Sequence, residues 1–185
     1  MRTLTLASIF VLCGCGAATL AQQGPTPAAP TTPNAAAPDA APAPKPRDLK
    51  NFNVGKDGLA LEGMDPVSYF AEGGGKPQRG TTEFTHRHRG VTYRFATREH
   101  QQAFAKDPEK FEPAYGGWCA FAMADGKKVE VDAASFTITE GRLCLFYKDF
   151  FNDTRKKWLA DTAALRPRSD EQWAKIAPDE KKKPK

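Results

Sequence analysis

Hydrophobic positions along this chain change their period several times, and each change predicts an element. Residues 4–12 form a short, nearly continuous apolar run behind one arginine, too short to cross a bilayer, and small residues follow it. Residues 22–47 have no apolar periodicity at all. Residues 59–70, LALEGMDPVSYF, begin apolar and then meet Asp65 and Pro66, a turn signal that predicts a short helical or looped segment, broken by the glycines at 73–75.

Strict alternation appears on both sides of Arg89 and Gly90 in EFTHRHRGVTYRF, residues 83–95, and predicts a β-hairpin with a two-residue turn. That register pairs His88 with Val91, His86 with Tyr93 and Phe84 with Phe95, and puts all six on one face. Thr97 then predicts a helix N-cap, with the helix running to about Lys106 and a second turn restarting at Asp107 and Pro108. YGGWCAFAM, residues 115–123, follows. SFTITEGRLCLFY, residues 135–147, predicts a second hairpin around Glu140 and Gly141. Phe150, Trp158 and Leu165 mark an amphipathic helix that Pro167 should end, and Ser169 should open a last short helix through Trp173 and Ile176. Hairpins and helices in this order predict a small α+β domain: antiparallel β-hairpins packed with several short helices.

Composition divides the 185 residues unevenly. Residues 22–47, QQGPTPAAPTTPNAAAPDAAPAPKPR, are dominated by Ala and Pro and predict an extended, disordered linker with a reach of about 80 Å. The first residues read as a secretory signal, with two cleavage schemes open. Residues 1–21 form an ordinary signal peptide, or the Leu12, Cys13, Gly14, Cys15 stretch acts as a bacterial lipobox with Cys15 lipidated, which would tether the protein to a membrane. The expected location is therefore the periplasm or, as a lipoprotein, the membrane surface of a bacterial envelope. Nearly all of the 12 Phe and 3 Trp follow residue 50, so residues 48–176 are expected to fold, with a Lys-rich tail at 177–185. A formal charge of +5 is weak support for a nucleic-acid partner, and the terminal KKKPK reads as a solvated tail.

Candidate chemistry centres on Cys119. If residues 118–124 are helical, Cys119 and Met123 lie at i and i+4 on one face, a soft thiolate and thioether pair suited to copper or another soft transition metal. A cysteine near a helix N-terminus also suits nucleophilic redox chemistry. Gly116 and Gly117 would let another group approach it. Equally, free Cys and Met are ordinary core residues. Cys144 adds a third alternative, a Cys119–Cys144 disulfide closing a loop of about 25 residues and contributing about 3 to 4 kcal/mol. His86 and His88 share a strand face that should be core. No CxxC zinc spacing, Ser-His-Asp arrangement or phosphate-binding glycine loop is present.

GMDPVSYF, RGVTYRFAT, AFAKDPEKFEPAYGGWCAFA, GRLCLFY and KKWLADTAAL with a later Trp occur in one order, and in this the chain resembles the exported branch of the YHS domain family over about residues 59–173. Shorter YHS domains accompany metal-transporting ATPases, mercury- and copper-handling proteins and some monooxygenases, with cysteines thought to bind metal. This chain departs from that pattern: Ser68 follows Pro66 and Val67, Ala96 follows Phe95, and His100 stands in place of a helix cysteine, so of that set only His100 could be a ligand. The exported branch shares the YGG-aromatic-Cys stretch, and some members carry selenocysteine in place of Cys119, which implies a chemical use for that position. The resemblance thus implies an exported, non-enzymatic module binding a soft metal or small thiophilic ligand through Cys119, with Met123 and His100. The alternatives are a thiol redox enzyme with Cys119 as nucleophile, and a small-ligand or protein-binding module in which Tyr115, Trp118 and Phe121 form an aromatic pocket.

Overall fold

The computed structural model describes residues 45–180. The expected signal, Cys15 lipidation and most of the linker lie outside the described residues, as does the KKKPK end. Within them the fold is α+β, with two small antiparallel hairpins and several short helices.

The first hairpin joins β1 (Thr81–His88) to β2 (Val91–Phe95). Arg89 and Gly90 turn it with φ of 48° and 95°, the left-handed pair that a two-residue hairpin turn requires. His88 pairs with Val91 and His86 with Tyr93, as alternation predicts, but Phe95 pairs with Thr81 and not with Phe84, because the register shifts between Thr81 and Thr85. Val91, Tyr93 and Phe95 are buried by that face. α1 (Arg98–Lys106) starts at Thr97, whose hydroxyl accepts the His100 N–H at 3.2 Å, and α2 (Pro108–Phe111) starts at Asp107. Phe104 on α1 contacts Tyr93 and Phe95, with ring centroids at 4.6 and 5.2 Å.

After a 3-10 segment at Ala114–Gly117 comes one α-turn, α3 (Ala120–Met123), and then β3 (Asp132–Thr139) and β4 (Arg142–Phe146). β4 is buried on both faces. Leu143 and Leu145 pack into the cluster with Phe95, Phe104 and Tyr69, while Cys144 and Phe146 pack into a second one with Tyr115, Met123, Trp158 and Trp173. The period-two geometry of a strand thus makes β4 the partition between the two clusters.

Two helices follow: α4 (Thr154–Ala160) and α5 (Thr162–Ile176). Phe150 is not helical and is almost fully exposed. Pro167 does not end a helix but lies inside α5, and the segment expected to start afresh at Ser169 continues it. A proline there forfeits one backbone bond. Against that, Ser169 Oγ lies within hydrogen-bond reach of the Ala120 and Leu165 carbonyls, and Trp173 is buried one turn later. Arg47, at the end of the expected linker, and Ala177, at the start of the expected tail, both pack into the folded body.

His86 and His88 lie against the Phe104 ring, centroids 5.7 and 6.4 Å away, and burial lowers both imidazole pKa values below the ordinary one. A lowered folded pKa means that the unfolded chain takes up protons first, so this stabilisation is present above about pH 6.5 and is lost as pH falls through the folded values. Urea midpoints should therefore drop between about pH 7.5 and 5.5, and drop less in the His86→Gln/His88→Gln variant. Glu180, whose carboxyl pKa burial raises, has the opposite sign, but it is common to both proteins and cancels in the comparison.

Candidate functional site

Cys119 caps α3 and is fully buried. Its backbone is held from two sides: its N–H donates to Val129 at 3.0 Å, and a parallel bridge joins it to Leu145. The thiol sits 3.4 Å from Thr154 Oγ1. Because the Thr154 hydroxyl proton goes to the Tyr147 carbonyl at 2.7 Å, the Cys119 S–H is the donor in this contact. Met123 is also fully buried, and its N–H donates to the Cys119 carbonyl at 3.0 Å. The structure therefore brings Cys119 and Met123 into one turn.

His100 has a different partner. Its Nδ1 is 2.5 Å from Asp65 Oδ2, and its side chain is only 15% exposed. Asp65 has no exposure, and its carboxylate also accepts the N–H groups of Val67 and Ala96, both at 2.9 Å. Asp65 thus ties its own turn to the stretch that opens α1. Among the described residues no group of three His, Cys, Asp or Glu side chains gathers as a metal-binding cluster. The Cys119 thiol is paired with Thr154, and the His100 ring with Asp65.

The disulfide alternative is corrected: Cys119 and Cys144, both buried, are not joined by a disulfide. Cys144 packs on the face of β4 that carries Tyr115, whereas the Cys119 backbone abuts Leu145.

The YGG stretch has a different use from the one its composition suggested. Tyr115, Gly116 and Gly117 are consecutive left-handed residues, with φ of 55°, 63° and 89°. For tyrosine this conformation costs on the order of 1 to 2 kcal/mol. A Cβ on Gly116 would stand 2.7 Å from Trp173 Cη2 and 3.0 Å from Phe52 Cδ1. The glycine thus admits two aromatic rings, which meet edge to face with centroids 5.6 Å apart.

Those rings line a cleft of about 610 Å³, together with Tyr115, Arg142, Asp170, Arg47 and Glu112. Its volume lies in the ordinary range for small-molecule sites. Tyr115 donates its hydroxyl to Asp170 at 3.0 Å, and Arg142 Nη1 reaches the same carboxylate oxygen at 2.7 Å while its guanidinium lies 4.9 Å from the centre of the Tyr115 ring. Arg142 Nε–H is buried and has no hydrogen-bond partner. Burial raises the Tyr115 pKa far above its ordinary value, so the phenol stays a neutral donor. On the other wall Arg47 holds Glu112 through both terminal nitrogens, at 2.5 and 2.6 Å, and Tyr93 donates to the same carboxylate at 2.9 Å.

Trp118 and Phe121, expected beside Tyr115, do not line this cleft. Trp118 donates its indole N–H to the Asn51 carbonyl at 2.8 Å, and Lys157 lies over Phe121. A smaller cavity of about 120 Å³, between Asn53, Leu59 and Val131, borders Gly117. The cleft residues that sequence reading missed are Arg47, Glu112, Arg142 and Asp170. Arg47 and Glu112 stand 65 positions apart and Arg142 and Asp170 stand 28 apart, so no local motif marks them. Comparisons with protein-family models, with curated proteins and with solved structures gave no match to this chain.

Proposed function

We propose that the folded domain is a non-catalytic binding module whose ligand is a small organic molecule held in the cleft beside the YGG turn, with Cys119 serving as an interior packing and hydrogen-bonding residue. The observation that carries this reading is the cleft itself: about 610 Å³, with three aromatic side chains and ion-paired guanidinium and carboxylate groups along its walls. Aromatic faces bind a flat apolar portion of a ligand, and the paired charges offer both donors and acceptors to fix its orientation. The soft-metal and redox alternatives require a reachable sulfur, and the Cys119 thiol has no solvent exposure.

A fragment library scanned by amide chemical-shift changes should produce hits that perturb Tyr115, Gly116 and Trp173 together. Arg142→Ala should weaken those hits about tenfold or more, by loss of a charged hydrogen-bonding group. Cys119→Ala should leave them in place, and native thiol alkylation should be slow. Fast alkylation, or Cu(I) binding that Cys119→Ala abolishes, favours the thiol-centred alternative.

A further inference from the structure

The segment between β4 and α4 carries two large apolar side chains that the domain does not use. Phe150 and Phe151 are each 93% exposed, and their rings meet edge to face at 5.0 Å. Scattered single exposed apolar residues are ordinary, but an adjacent pair presented almost entirely to solvent is not.

The turn beneath them is tightly built. Asp149 Oδ1 accepts the N–H groups of Phe151 and Asn152, at 2.9 and 2.7 Å, and its Oδ2 accepts the Tyr147 hydroxyl at 2.6 Å. Asp149 N–H donates back to the Asn152 carbonyl at 3.0 Å, and the backbones of Lys148 and Asp153 form an isolated antiparallel β-bridge. At the base, Thr154 closes the loop onto Tyr147 through both its N–H and its hydroxyl. The two rings are therefore held outward by a preorganised turn, and ordering them on binding costs little.

The surroundings are basic. Between residues 148 and 157 stand Lys148, Arg155, Lys156 and Lys157, against Asp149 and Asp153, and the three lysines are exposed. Both aspartates already accept backbone N–H groups within the turn or at the start of α4.

We propose that this loop is a membrane-docking wedge: Phe150 and Phe151 enter the interfacial region of a lipid bilayer while Lys148, Lys156 and Lys157 meet anionic headgroups. Exposed apolar rings flanked along the chain by exposed lysines match the order of a bilayer surface, charged headgroups outside and hydrocarbon beneath. The hydrophobic pocket of a protein partner would need no such flanking lysines.

The test is vesicle sedimentation of the full chain, using phosphatidylcholine vesicles with and without about 30% phosphatidylglycerol, at two salt concentrations. Phe150→Ala/Phe151→Ala should partition about tenfold or more weakly onto the anionic vesicles, since it removes two buried rings. Lys156→Glu/Lys157→Glu should remove the preference for anionic lipid. Both substitutions fall on exposed positions, so folding is not at stake. Phe151→Trp reads the loop directly, whatever the N-terminal residues contribute: its emission, taken as the difference from the parent chain, should shift to the blue on anionic vesicles. Equal partitioning of the parent and the double-Ala chain, an unshifted Phe151→Trp spectrum, or Phe-dependent capture by a protein with no vesicle response overturns the proposal. None of these outcomes bears on the cleft, which lies on other residues.

Discussion

Asp65→Ala is expected to destabilise the domain by about 3 to 5 kcal/mol, read as a fall in the urea midpoint of tryptophan fluorescence. The carboxylate has no exposure and accepts from the backbone of Val67, the backbone of Ala96 and the ring of His100. Truncation strands all three donors, the Val67 N–H fully buried and the other two partly so, and a buried donor without a partner costs about 1 to 3 kcal/mol. Asp65→Asn should be milder. Its amide oxygen can keep Val67, but its NH2 must then face the Ala96 N–H, a donor opposed to a donor. An unchanged midpoint for the alanine variant would falsify the view that Asp65 locks its own turn to the start of α1.

The second large effect concerns the wall of the cleft. Glu112→Ala should also destabilise by about 3 to 5 kcal/mol, because it removes the bidentate partner of a buried guanidinium and leaves it only a shared carboxylate. Arg47 and Glu112 side chains are only 4% and 11% exposed, and the Tyr93 hydroxyl loses its acceptor in the same step. The remaining partner of Arg47, Glu180 at 3.0 Å, is shared with Arg89 at 2.9 Å. Removing the whole polar set should behave differently. In Arg47→Met/Glu112→Leu/Tyr93→Phe no buried charge or hydroxyl is orphaned, and most of the lost stability should return. If the triple variant is no better than Glu112→Ala, the pair contributes net attraction beyond satisfying itself, and its coupling can be measured by a double-mutant cycle.

Both predictions rest on interactions invisible to local pattern. Asp65 and Pro66 are legible in the sequence as a turn, and a turn is what forms, with a 3-10 segment at Val67–Tyr69 directly after it. That the Asp65 carboxylate then reaches residues 96 and 100 is not legible, because sequence spacing says nothing about which chain segment packs alongside. Similarly, YGG predicts unusual backbone, and unusual backbone is present, but the rings it admits come from residues 52 and 173. The expectation that Pro167 stops a helix failed for the same reason. Its local penalty competes with Ser169 and Trp173 packing from the far end of the chain, and packing wins.

Read alone, the chain determines the local elements: the two hairpins with their turns at Arg89 and Gly90 and at Glu140 and Gly141, the caps at Thr97 and Asp107, and the α+β class. These follow from periodicity and turn chemistry, which act over a few residues. The tertiary structure alone decided that Cys119 is sealed behind Thr154, that His100 belongs to Asp65, that the cleft is walled by Arg47, Arg142 and their acids, and that Phe150 and Phe151 point away from the core. Those facts depend on which distant side chains share one dry space, where burial and pairing set the energy.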